Sequence, residues 1–424
     1  MNYLGGLCVS AVKRAGSRFL IWRVSRCAGL FLLLLCCVTL AAQAQETAKA
    51  THTFTFGQTA TFSLALSPGA AVTEATLFVT VNRENTRLYP VTLENNQGQY
   101  QRDLRTEPFP PYARITYRWQ FINAQGVEET TNETHFLYDD NRFRWQPLEK
   151  DGVTLNWVSG DKALMVNALD IALNAIANIE QTLLAPHPES ITLYIYPSLP
   201  DLQSALRLSG RDWVGGRAYP ELGVVLLAIP PGDGAVIQMK RDIPHEIAHQ
   251  ILYDLVGPQG YETLPVWLNE GLVSHFEQYP DAAYALALEK ATQSATLIPF
   301  EKLCYPFSAD REQAILSYAQ SQSMVSYIQQ TYGWSKVRTL VQAYADGLGC
   351  NVGVQRVLDT DMTTLDREWR LWLSTKGQTP AQPAWDEVLL ILGDLAPWLL
   401  LIGGVCLPSV VLFVEHRLRA WQRG

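Results

Sequence analysis

Two uncharged apolar runs bracket this chain of 424 residues and decide which solvent its bulk can meet. The first covers residues 28–42, preceded by Lys13, Arg14, Arg18, Arg23 and Arg26 and followed by Ala42-Gln43-Ala44. A basic region, an apolar region and an A-x-A site, in that order, read as a secretory signal over residues 1–44, with an uncleaved anchor helix as the alternative. The second run covers residues 395–414 and at about 1.5 Å rise per residue spans roughly 30 Å, the thickness of a bilayer core. Pro397 and Pro408 lie inside it, which a spanning helix tolerates. Asp386, Glu387 and Asp394 precede the run and Arg417, Arg419 and Arg423 follow it, so the positive-inside bias assigns residues 415–424 to the cytoplasm. The expectation is a single-pass cell-membrane protein with its bulk extracytoplasmic; a buried hairpin of a soluble domain is the rival reading of residues 395–414.

Charge and cysteine usage narrow the partners and the compartment. The net charge is −8, and without the five basic residues of the leader 28 basic residues face 41 acidic ones. A surface of that sign repels phosphate backbones, so nucleic acid is not an expected partner. Cys8, Cys27, Cys36 and Cys37 fall in the leader and Cys406 in the second apolar run, leaving Cys304 and Cys350 in the exported body. An oxidising compartment permits those two to pair, and two free buried thiols are the alternative.

The exported body changes character once. Phe54, Phe56, Phe62, Leu64 and Leu66 alternate with polar or small residues, as do Leu77, Val79 and Val81, and Ile115, Tyr117, Trp119 and Phe121. Turn clusters such as Ser67-Pro68-Gly69 separate them, so residues 46–147 are expected to form an antiparallel β-sandwich of Ig-like size. Beyond Gln146-Pro147, residues 153–158, 191–196 and 223–229 read as strands and residues 163–184 as a helix, and from Arg241 to about Trp372 nearly everything reads as helix. Strands first and helices afterwards define an α+β domain over residues 151–377, and a Pro-rich linker, residues 378–394, leads on to the membrane segment.

Within this domain lies His245-Glu246-Ile247-Ala248-His249, an H-E-x-x-H run that fewer than about 1 in 100 chains of this composition would contain by chance. Asp242 is positioned to cap the helix and Pro244 to sit in its first turn. Histidines four apart share one helix face about 6 Å apart along the axis, from where two imidazoles can converge on one Zn2+. Zinc requires a third protein ligand and an open position, and Glu270 in Trp267-Leu268-Asn269-Glu270-Gly271 is the candidate. Glu246 is left to act as general base towards a water activated by the metal. The bland alternative is a surface helix with two solvated histidines; a closed structural site lacks a fourth ligand, and His275 reads as an ordinary helix-face residue.

His245-Glu246-x-x-His249 followed by Asn269-Glu270-Gly271 resembles the gluzincin metallopeptidases, the clan of aminopeptidase N and thermolysin, and most closely its peptidase MA-like group, over residues 155–373. The resemblance implies a zinc site on His245, His249 and Glu270, Glu246 as base, and peptide or protein substrates. It also implies that strand 223–229 is the sheet edge on which an extended peptide adds. The family's amine-binding Gly-x-Met-Glu-Asn motif is absent, the region reading Gly216-Arg217-Ala218-Tyr219-Pro220-Glu221, so exopeptidase activity does not carry over. A downstream tyrosine that steadies the oxyanion falls best on Tyr318, with Tyr327 and Tyr332 as rivals. The expected protein is a membrane-anchored zinc metallopeptidase; the competing readings are a catalytically inactive binding or scaffold protein on the same fold, and an adhesion protein worked by its sandwich.

Overall fold

The computed structural model describes residues 48–84, 86–206 and 214–376. The expected leader, the linker, the membrane segment at 395–414 and the tail lie outside the described residues. The chain divides into two compact units, the first ending at Asp139 and the second starting at Asp140.

Alternation makes the first unit. It contains β1 (Ala48–Thr55), β2 (Thr59–Leu66), β3 (Glu74–Val81), β4 (Thr86–Thr92), β5 (Gln97–Asp103), β6 (Arg114–Ile122), β7 (Glu128–Thr130) and β8 (Thr134–Leu137). Strands β1-β2-β5 form one antiparallel sheet and β4-β3-β6-β7 the other, with β8 also paired to β6. In β2 and β6 every second side chain is buried, and Phe62, Leu77, Ile115 and Trp119 are fully buried between the sheets.

The second unit opens with β9 (Gln146–Lys150) and β10 (Val153–Trp157), followed by helix α1 (Lys162–Leu183) and β11 (Ile191–Tyr196). Asp161 caps α1 by accepting the Leu164 N–H at 2.7 Å, and nine buried residues, among them Ala168, Ile176 and Ile179, give it one core-facing stripe. This helix is long and apolar enough to cross a membrane, but that stripe packs into the domain core. Next come α2 (Leu199–Leu206), β12 (Gly216–Tyr219) and β13 (Val224–Ala228). The sheet order is β12-β13-β11-β10-β9, with β10, β11 and β13 parallel and the two outer strands antiparallel.

This order corrects one expectation. The strand at 223–229 is not the sheet edge: β13 is paired on both sides and all five of its residues, Val-Val-Leu-Leu-Ala, are buried. A continuous apolar run is the mark of an interior strand. The edges are β9 and β12, and β12, Gly216-Arg217-Ala218-Tyr219, gave no strand signal in the sequence.

The rest is helical: α3 (Ala235–Thr263), α4 (Val266–His275), α5 (Ala282–Gln293), α6 (Arg311–Ala345), α7 (Cys350–Leu358) and α8 (Met362–Lys376). The metal-motif helix α3 starts at Ala235, so Asp242 does not cap it and Pro244 lies in its interior. Proline cannot donate to the carbonyl four residues back, that of Lys240. That oxygen instead accepts the Gln278 N–H at 3.0 Å, which makes the interior proline tolerable. Gly257, at φ 73°, breaks α3 as its place between the two motifs suggests, and Pro258 restarts a helical turn. Gly333 (φ 81°) breaks α6 in the same way. Cys304 and Cys350 are joined in a disulfide, their Cα atoms 6.2 Å apart. The core gathers Trp267 of α4, Tyr344 of α6 and Trp369 of α8, all fully buried.

Candidate metal centre

Periodicity on α3 stacks the two imidazoles, and the return of the chain through Gly257 brings α4 alongside. His245, His249 and Glu270 then offer ligand atoms that all lie within 4.8 Å of one another. The Nε2 atoms of His245 and His249 are 3.8 and 3.7 Å from the same Glu270 oxygen, Oε2. Those distances are too long for hydrogen bonds and match the span of two ligands across one ion with bonds of roughly 2.0–2.2 Å.

The other ring nitrogens are already engaged by oxygens. His245 Nδ1 lies 2.8 Å from Glu277 Oε1, and the Glu277 side chain is almost fully buried. His249 Nδ1 lies 2.9 Å from the Tyr261 hydroxyl and 3.2 Å from Asn269 Oδ1. A proton on each Nδ1, donated to these oxygens, leaves both Nε2 lone pairs facing Glu270. The donor set therefore fits a divalent metal, which would take the place of the proton on His245: two imidazoles, one carboxylate, and outer oxygens orienting both rings. Replacing Glu277 by Gln should weaken metal binding about 10- to 100-fold without unfolding the chain, as read by competition with a chromogenic chelator.

Charge is concentrated here. Burial opposes the charged form of His245, yet the hydrogen bond and charge of Glu277, with Glu246 and Glu270 behind it, lift this imidazole to about 9. Burial, and next the charge of His245, hold His249 down to about 3. Burial also lifts Glu246 to about 7, the His245 charge opposing it and Glu270 reinforcing it. Three carboxylates thus surround two rings in a water-poor pocket, an arrangement that calls for a positive charge between them.

Glu246 is buried on the adjacent face of α3, where it accepts the backbone N–H of Ala218 in β12. A cleft of about 360 Å³ opens beside His245 and Glu246, and Arg241, Tyr284, Arg311 and Tyr318 line it. Tyr318 thus lines the same cleft as His245 and Glu246. It lies parallel to Tyr284, ring centroids 6.2 Å apart, with Phe307 edge-on at 5.2 Å. Tyr327 lies elsewhere, its hydroxyl 3.4 Å from Glu368 and its ring on Trp372, and Tyr332 packs edge-on against it. His275 packs edge-on to Trp334 at 5.0 Å, outside the cluster, as an ordinary helix-face residue does.

Sequence reading missed Glu277, Tyr261, Asn269 as a ring orienter, and Tyr284. Glu277 had no signal, because it lies just past the end of α4, where helical spacing from Glu270 no longer applies. Tyr261 and Tyr284 had none, because their roles follow from how α3 and α5 fold back onto the site.

Beside the five-stranded sheet, two histidines and a glutamate from consecutive helices thus converge as a group that could hold a metal ion. Residues 171–375 match the family described as Peptidase MA superfamily, and over this stretch the chain is a distant relative of the gluzincin peptidases. No curated protein sequence matches the chain. Solved structures to which it is similar include an M1 zinc metallopeptidase from Deinococcus radiodurans, 10% identical, covering 77% of this chain and 94% of that one at a TM-score of 0.31. Another is an aminopeptidase N family protein from Idiomarina loihiensis, 11% identical, covering 82% of this chain and 60% of that one at a TM-score of 0.27.

Proposed function

We propose that this protein is a membrane-anchored extracytoplasmic zinc metallopeptidase that hydrolyses peptide bonds. The observation that carries the reading is the convergence of His245 Nε2 and His249 Nε2 on one Glu270 oxygen beside a cleft that holds the Glu246 carboxylate. Zinc held by His245, His249 and Glu270 would supply Lewis-acid polarisation of water and of the scissile carbonyl. Glu246 takes the proton from the attacking water and delivers it to the leaving amine, burial holding its carboxyl above the ordinary range. Tyr318, lining the same cleft, donates its hydroxyl proton in a hydrogen bond to the developing oxyanion. Asn269, Tyr261 and Glu277 hold the rings.

The location rests on the sequence. The basic-apolar-small leader and the Arg-flanked run at 395–414 support export and a single span. The Cys304–Cys350 disulfide supports an oxidising compartment.

The test is metal analysis and peptide cleavage on the full chain in detergent. One zinc per chain, cleavage of members of a quenched peptide library, loss on chelation and recovery with zinc are expected. His249→Ala should bind no zinc. Zinc bound without cleavage of any peptide would turn the reading towards a binding protein, and absence of zinc would remove the site itself.

A further inference from the structure

The edge strand β12 comes unusually close to the helix that carries Glu246. A Cβ placed on Gly216 would lie 2.6 Å from Glu246 Oε1, 3.1 Å from its Cδ and 3.0 Å from Leu227 Cδ2. A separation under 3 Å is one that real Cβ atoms essentially never show. Two residues on, the Ala218 N–H donates to the same carboxylate. Beyond β12, the Pro220 carbonyl accepts from Gln250 Nε2 at 3.1 Å, tying the end of the strand to the next turn of α3. Glu246 is thus confined by backbone: an amide on one side and a bare α-carbon on the other.

We infer that Gly216 is a positioning residue for Glu246: its missing side chain is the space that the carboxylate occupies in the cleft. The inference rests on the reading of Glu246 as the base. The conformation does not require glycine here, since Gly216 is outside the left-handed region; only the space does. A methyl group at 216 would therefore push the carboxylate off the Ala218 amide and out of line with the cleft, while leaving the metal ligands on their own helices.

The experiment is a double-mutant cycle on the full chain. Gly216→Ala should lower kcat about tenfold or more, with zinc content, KM and melting temperature close to wild type. Glu246→Asp draws the carboxylate back by one methylene and frees the space. Adding Gly216→Ala to Glu246→Asp should then change kcat less than threefold. An equal loss in both backgrounds would assign the effect to Leu227 packing and overturn the inference, as would wild-type kcat in Gly216→Ala. A second readout is independent of turnover. Amide exchange at Ala218, followed by mass spectrometry, should accelerate at least tenfold in both Gly216→Ala and Glu246→Ala. Unchanged exchange in Glu246→Ala overturns the inference even if Gly216→Ala fails to fold. Failure of the peptidase reading looks different: no variant, wild type included, would cleave peptide, while the exchange pattern still reports on the contact.

Discussion

Replacing Glu246 by Gln should lower kcat for peptide hydrolysis by about three orders of magnitude while zinc stays bound at one ion per chain. The magnitude follows from the usual worth of a positioned general base, about 10²–10⁴-fold. Glutamine keeps the volume of the side chain and an oxygen that can still accept the Ala218 N–H, so the fold and the edge strand are undisturbed. It loses only the capacity to take a proton. Zinc content remains because Glu246 is not among the atoms that converge; those belong to His245, His249 and Glu270. The comparison requires steady-state kinetics on a quenched peptide beside metal analysis of the same sample. Wild-type turnover in the variant would remove Glu246 from the reaction.

Loss of the Cys304–Cys350 bond should cost about 4 kcal/mol of stability, the chain-entropy value for a cross-link across a sequence separation of 46 residues. For a unit of this size that is a drop of roughly 10 °C in melting temperature. The bond joins the short helical turn Phe300–Cys304 to the first residue of α7, and the Trp267 indole N–H donates to Cys350 Sγ at 3.3 Å. Trp267 lies one turn ahead of Glu270 on α4, so the cross-link also braces the helix that presents the carboxylate. Calorimetry of the double variant Cys304→Ser and Cys350→Ser, with and without reductant, measures the effect. A melting temperature unchanged to within about 1 °C would show that the unfolded chain gains no freedom from the break.

Both outcomes depend on features legible in the sequence to different degrees. The clustering of His245, His249 and Glu270 was readable because its spacing is local: four residues on one helix face, then a glutamate beyond Gly257 and Pro258. Strand β11 and helix α1 were readable because their apolar runs are long and bounded by turn residues. The start of α3 was not. Pro244 argues for a helix beginning nearby, and only the Gln278 amide, far along the chain, lets the helix continue through it. The edge strand was misplaced for a related reason. Gly216-Arg217-Ala218-Tyr219 has little strand propensity and exists by pairing with β13. Pairing of the two body cysteines was open until α7 and the turn at Phe300–Cys304 were seen side by side.

The carbonyl freed by Pro244 bears on the proposed metal site. Through Lys240 and Gln278 the backbone of the histidine helix is bonded to the segment that bears Glu277, while the short connection after Gly257 joins it to the helix that bears Glu270. Two attachments at separate points brace a hinge into a frame. The cost of gathering His245, His249 and Glu270 is then met during folding, so under the proposed function an arriving ion would meet a preassembled cradle.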